Sequence, residues 1–366
     1  MRPGTAGASA SGSRTARRWF VVPLAIALLS RVVSVVIVVL VAPVSGGVVR
    51  GPNPFAIWDW GWYSQIARLG YHGAPISKWY VDYAFYPGWP AVIKLLDRTG
   101  LPLEVLAVVA ANALFIVAAL LAWRVMRQRL GEPAATWGLL LLVFAPPAYA
   151  FSLAYAEPLF LIGAALALGA AADWRARTVG AALAAFTRVT GLAVLTGLAV
   201  RAVRTSGAER RTAIVAVLGG IVAFAAWWVF VAWITGDPAG AMKGSSTWYH
   251  EPAGRVLRVL IAKHPVWVVA WGAFAMVVGV GTLLLARRHP DLFAYSATAL
   301  VLGAMPILVG GSMHSLPRYA LVAFPAFGAL AGRLGRRGSL VMLAVFLAGQ
   351  VAFAWWAIPA AGTQAP

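Results

Sequence analysis

The chain has 366 residues, 61% hydrophobic and 11% charged, with mean hydropathy +0.80; this lies far from the composition of soluble domains and marks an integral membrane protein. The formal net charge of +19 comes as short clusters between apolar runs, Arg14/Arg17/Arg18, Arg124/Arg127/Arg129, Arg201/Arg204/Arg210/Arg211, Arg287/Arg288 and Arg333/Arg336/Arg337. That is the pattern of inner loops meeting anionic head groups, and it argues against nucleic acid as a partner. The absence of cysteine excludes disulfides, thiol catalysis and Cys-ligated metals.

In chain order, residues 1–18 are rich in Gly, Ala, Ser, Thr and Arg and read as a disordered cytoplasmic N-terminus. The apolar run 19–42 exceeds the h-region of a signal peptide and reads as an uncleaved anchor. Further runs of spanning character fall at 101–123, 135–151, 154–172, 212–235, 264–286, 292–311, 319–332 and 339–358, close to the length an α-helix needs to cross about 30 Å of hydrocarbon. The segment 179–203 has basic residues at both ends, so a single crossing would strand one cluster outside. It is therefore expected to be a re-entrant pair of half-helices broken at Arg188-Val189-Thr190-Gly191. The expected fold is all-α and polytopic: one transmembrane domain over 19–358, with about nine full spans plus the half-helix pair and a tail at 359–366. The N-terminus is then inside, and the long connections 43–100 and 236–263 share the outer face. Short interfacial helices are expected at Tyr63 to Leu69 and Pro90 to Leu96.

Acids are scarce, 11 in the whole chain, so each one near a membrane boundary needs a reason. Asp59 sits among aromatics in Trp58-Asp59-Trp60-Gly61-Trp62-Tyr63. It reads either as a general base placed beside a hydroxyl or as the N-cap of the helix that follows. Asp82 is the second acid of the same loop, suited to a sugar hydroxyl, a metal or a neighbouring Arg. Glu157 lies near the outer end of its apolar run and needs a partner, for which Arg188 at the helix break is suited; Arg188 could instead reach a donor phosphate. Arg318, in Ser312-Met313-His314-Ser315-Leu316-Pro317-Arg318-Tyr319, can hold a leaving phosphate through paired hydrogen bonds or snorkel to a lipid head group. His314 has no partner at ligand spacing, and His250-Glu251 reads as solvated loop.

The order of these islands resembles the PIG-V family of GPI mannosyltransferase II. Its members carry a W-D-x-x-(aromatic or His)-(Y/F)-x-x-I-A-x-x-G-Y stretch, here Trp58 to Tyr71, and then F-(F/Y)-P-x-x-P, here Phe85-Tyr86-Pro87-Gly88-Trp89-Pro90. Tyr155-Ala156-Glu157-Pro158-Leu159-Phe160 is similar to the family's Y-S-E-x-L-F, Thr187-Arg188-Val189-Thr190-Gly191 to T-R-P-T-G, and Arg318-Tyr319 to its late R-Y element. The chain departs from the pattern at Trp62, Ala156 and Val189, which bears on the acceptor more than on the reaction class. The resemblance implies a GT-C glycosyltransferase that takes mannose from a polyprenyl-phosphate donor on the non-cytoplasmic face and passes it to a lipid or glycan acceptor. It also implies Asp59 as the base. Donor and acceptor binding then fall to Trp58, Tyr63, Asp82, Glu157, Arg188, His314, Arg318 and Tyr319. No cofactor is implied, and no divalent metal is indicated.

No Walker-type loop, GxSxG elbow or HExxH occurs, which weighs against nucleotide hydrolysis, serine hydrolysis and zinc proteolysis. The competing reading is a transporter or flippase for a lipid-linked sugar, and a third is a noncatalytic assembly subunit. The clustering of acids on one face and the lack of an internal repeat favour the enzyme over the transporter.

Overall fold

The computed structural model describes residues 20–44, 53–72, 81–169, 173–246, 258, 261–262, 265–308 and 316–360. Every regular element among them is a helix: α1 (Val21–Val44), α2 (Trp60–Leu69), α3 (Gly88–Asp97), α4 (Leu103–Leu130), α5 (Glu132–Val143), α6 (Glu157–Leu168), α7 (Trp174–Thr187), α8 (Gly191–Arg204), α9 (Gly207–Thr235), α10 (Gly240–Ser246), α11 (Pro265–Leu285), α12 (Pro290–Leu308), α13 (Leu316–Leu321) and α14 (Phe324–Ala360), with 3₁₀ turns at Asp82–Ala84 and Pro146–Ser152. Short helices are present at both places expected in the first loop, as α2 and α3.

The expectation of about nine full spans is corrected. Among the described residues five helices, α1, α4, α9, α11 and α14, are long and apolar enough to cross a membrane, and a sixth span arises only if α5 and the 3₁₀ turn after it, bent by 78°, count as one. The reason is that hydropathy marks where the chain is apolar, not where its helices end. The run 154–172 supplies only the 12-residue α6, about 18 Å at 1.5 Å per residue; Pro158 enters its first turn and Gly169 follows its end. The runs 319–332 and 339–358 are separated at the arginine cluster as expected, although the first is short. The helix α13 is followed by α14, which is two helices meeting at Gly335, where φ is 65° and ψ −173°. Because the rings of Phe327 and Phe346 both lie against Phe274, at 6.4 and 5.8 Å, the chain folds back there.

The segment 179–203 is a helical hairpin, α7 and α8, with the break at Arg188-Val189-Thr190. Its two outer ends lie together, because Arg177 near the start of α7 and Arg201 near the end of α8 both donate to Gly169 O, at 3.2 and 3.3 Å. The tip therefore points to the opposite end of the bundle. α7 packs on α6 with no room for side chains: a β-carbon built on Gly180 would lie 2.6 Å from Gly163 O, the close approach that small residues permit between membrane helices.

An ionic staple closes the Arg-rich end. Arg129 grips Asp291 bidentately at 2.7 and 2.9 Å, Arg201 reaches the same carboxylate at 2.7 and 2.9 Å, and Arg201 also donates to Leu168 O at 2.7 Å. Arg177 pairs with Glu209 at 2.9 Å. Arg177 and Arg201 thereby cap carbonyls at the C-terminus of α6, where cations are favoured by the helix dipole. Within α1, buried Arg31 donates to Ser152 Oγ at 2.9 Å and lies 4.0 Å above the Phe115 ring, so this membrane-depth cation is held by a hydroxyl and a π face.

Candidate active site

The site is assembled at the other end of α6. Residues 53–59 are drawn toward the start of α6 by hydrogen bonds across a long sequence separation: Ala154 N donates to Phe55 O at 3.1 Å and Tyr155 Oη donates to Ile57 O at 3.2 Å. Trp89 Nε1, from α3, donates to Ala154 O at 2.9 Å. α3 in turn rests on the hairpin tip, since a β-carbon on Gly88 would fall 2.6 Å from Thr187 Oγ1. First loop, α6 and hairpin tip thus meet at one place.

Asp59 occupies the N-cap position of α2 but makes no side-chain capping bond. Its carboxylate accepts from Arg318 Nη1 at 2.9 Å, which removes capping as the account of this acid. The residue before it, Trp58, is the one non-glycine among the described residues with positive φ, 49°, a conformation that costs a bulky side chain roughly 1–2 kcal/mol.

Glu157 opens α6, where the N-terminal dipole favours an anion. Its side chain is only 1% exposed and pairs with Arg188 Nη1 at 2.5 Å, while Arg318 Nη1 stands 3.6 Å from the same oxygen. The guanidiniums are also stacked: Arg188 lies 4.9 Å above the ring of Tyr319, and Arg318 lies 4.9 Å above the ring of Tyr155. Two carboxylates and two guanidiniums make a neutral, mostly buried group. Burial pulls the Arg318 guanidinium toward deprotonation, but Asp59, Glu157 and Tyr155 outweigh it and hold the group well above its ordinary pKa. It remains a cation throughout the pH range of a folded protein. Tyr63, on the buried side of α2, is pushed up mainly by desolvation and next by Asp59, so it stays a neutral hydroxyl. Its ring meets Phe85 edge-on at 5.3 Å, beside the stacked pair Trp62–Phe85 at 5.8 Å.

The structure therefore brings Asp59, Glu157, Arg188, Arg318 and Tyr319 together, with Trp58 and Tyr63 as neighbours of Asp59 on the loop and on α2. It does not add Asp82 to that group. Asp82 is buried, and its Oδ2 accepts from His72 N at 2.7 Å and pairs with His72 Nδ1 at 2.8 Å. His314 and the pair His250-Glu251 lie outside the described residues. Reading the sequence missed Tyr155 as the platform under Arg318, although its place two residues before Glu157 is a usable signal. Among the described residues no group of three or more His, Asp or Glu is disposed to hold a metal ion.

A cavity of about 720 Å³ lies beside the cluster, walled almost wholly by apolar side chains including Pro146, Trp267, Trp271, Phe274, Phe346 and Pro317. Pro317 immediately precedes Arg318, so an apolar chain lodged there would end near the guanidiniums.

No protein-family model matches the chain, and no curated protein matches it. Among solved structures, the apo oligosaccharyltransferase of Archaeoglobus fulgidus is 11% identical, with TM-score 0.52 over 96% of this chain and 57% of that one. ArnT from Cupriavidus metallidurans bound to undecaprenyl phosphate is 19% identical, with TM-score 0.48 over 92% and 64%. The chain thus spans about six tenths of the length of these proteins, and it shares the fold of the oligosaccharyltransferase.

Proposed function

We propose that the chain is a polytopic glycosyltransferase of GT-C type that moves mannose from a polyprenyl-phosphate donor to a hydroxyl of a lipid or glycan acceptor on the non-cytoplasmic face of the membrane. The observation that carries this reading is the meeting of four distant islands, at residues 59, 157, 188 and 318, in one group of two acids and two guanidiniums. The shared fold with an oligosaccharyltransferase supports it. So does the apolar cavity beside Arg318, which gives a polyprenyl chain a place to lie.

The residues divide the reaction between them. Asp59 takes the acceptor's hydroxyl proton as that oxygen bonds to the anomeric carbon. The bond from that carbon to the phosphate oxygen breaks, and its electron pair leaves with the polyprenyl phosphate. Arg318 and Arg188 hold the charge that gathers there, in a site dry enough for the interaction to count. With a β-linked donor, one in-line displacement gives an α-linked product and needs no protein nucleophile. Glu157 fixes the two guanidiniums, Tyr319 fixes Arg188, and Trp58 and Tyr63 offer an apolar face and a neutral hydroxyl to the sugar. Asp82 contributes by holding His72 rather than by touching the donor.

The test is transfer itself, using protein purified into lipid nanodiscs, radiolabelled polyprenyl-phosphate mannose and a lipid extract as acceptor. The parent is expected to transfer label and Asp59→Asn to lose it. Transfer that survives the substitution removes Asp59 as the base. No transfer from any polyprenyl-phosphate sugar sinks the enzyme reading and leaves the transporter.

A further inference from the structure

The closed contact between Asp59 and Arg318 conflicts with the geometry of the reaction they are proposed to serve. In an in-line displacement the acceptor oxygen and the leaving oxygen stand on opposite sides of the anomeric carbon. A base within hydrogen-bond reach of the first, and a near-attack separation beyond that, place on the order of 6 Å between the base and the reacting carbon. The phosphate and its guanidinium lie farther along the same line. A 2.9 Å ion pair between base and guanidinium leaves no room for those atoms.

Resting on the functional reading above, we propose that the donor phosphate displaces Asp59 from Arg318, so that the base is unmasked only in the donor-loaded site. Three features support this exchange. First, Asp59 is the looser partner: its side chain is 26% exposed against 1% for Glu157, and when it leaves, Arg318 keeps Glu157 at 3.6 Å and the Tyr155 ring beneath it. Second, Arg188 is the less available cation, because it is bound to the buried Glu157 at 2.5 Å. An entering phosphate anion meets a neutral group and gains a full cation most readily by replacing the exposed acid on Arg318. Third, the backbone beside Asp59 is strained at Trp58, so the segment that carries the acid does not rest in a relaxed conformation that its movement would have to leave.

While Arg318 engages Asp59 Oδ2, the carboxylate is held against the guanidinium and away from the place where it would meet an acceptor hydroxyl across the anomeric carbon. The exchange thus orders the reaction, donor before acceptor, and keeps the base masked in the empty site.

The experiment measures binding of undecaprenyl phosphate, which carries no sugar, to the full chain in nanodiscs. Four proteins are compared: parent, Asp59→Asn, Arg318→Gln and the double variant. Removing the competing carboxylate is expected to tighten binding about 5-fold, the scale of one partly exposed ion pair, and that gain is expected to vanish when Arg318 is absent. An equal gain with and without Arg318 means simple repulsion by Asp59 and overturns the exchange alone. Failure of the parent to bind polyprenyl phosphate overturns both the exchange and the functional reading. If Arg318→Gln does not fold, the infrared difference spectrum of the parent on adding the lipid decides: a change in an aspartate carboxylate band that Asp59→Asn abolishes supports the exchange, and its absence overturns it.

Discussion

Helix α6 ends in a group of guanidiniums and carboxylates on both sides, and the two groups are built differently. At its C-terminal side, both Asp291 oxygens are taken by Arg129, Arg201 doubles the contact, and spare N–H groups cap the α6 carbonyls. At its N-terminal side, Asp59 accepts from Arg318 through one oxygen, Glu157 is ion-paired without either of its oxygens accepting a hydrogen bond, and the backbone beside Asp59 is strained. The first arrangement satisfies its charges as fully as geometry allows and serves as a staple. The second leaves a partly exposed acid and a guanidinium shared between two anions, which is what a site needs if a third anion is to enter. What separates structural from functional ion pairs here is therefore saturation and not burial, since both groups are largely buried.

The contrast can be broken in several ways. The largest expected effect is on catalysis: Asp59→Asn lowers kcat by about 10²–10⁴ through loss of the base while leaving the thermal unfolding midpoint near that of the parent. A large fall in the midpoint would make Asp59 a structural acid like Asp291. Next, Asp291→Ala leaves two guanidiniums without their anion and is expected to cost about 3–5 kcal/mol of stability, read by thermal unfolding in detergent, with activity per folded molecule kept. A smaller effect is expected for Arg318→Lys, which retains charge but loses the planar fork and the stacking on Tyr155; kcat/KM for the donor should fall about 10-fold. Smallest is Tyr155→Phe, which keeps the ring under Arg318 and removes the bond to Ile57 O, for about 1 kcal/mol of stability and little change in donor binding.

How much of this could be read from sequence differed between charge and length. Asp59, Glu157, Arg188 and Arg318 stand out in the sequence because polar residues are rare and costly in such a chain, and those four do meet in the structure. The break at Arg188-Val189-Thr190 was legible too, since basic residues flank the segment on both sides. The span count was not. An apolar run of 19 residues and the 12-residue α6 inside it look alike by hydropathy, whereas the arginines at 333, 336 and 337 do mark the break at Gly335 between the two helices of α14. The staple was also invisible, because Asp291 and Arg129 are separated by 162 residues and no local pattern joins them. The contact of Asp82 with the backbone and ring of His72 was likewise not legible, because it is set by how the loop folds.

The two stacked cations have a consequence for how such a site can be altered. Arg188 rests on the tyrosine that follows Arg318, while Arg318 rests on the tyrosine that precedes Glu157, and Glu157 faces both. Three motifs from separate stretches of the chain therefore depend on one another in a closed ring, so none can be transplanted alone. A chimera that exchanges only the 155–157 island would unseat a cation supplied by residue 318, while one that exchanges all three together should keep the ring intact. If the ring is the proposed phosphate clamp, changes of acceptor are expected to come from positions outside it, on the aromatic loop, where variation leaves the ring untouched.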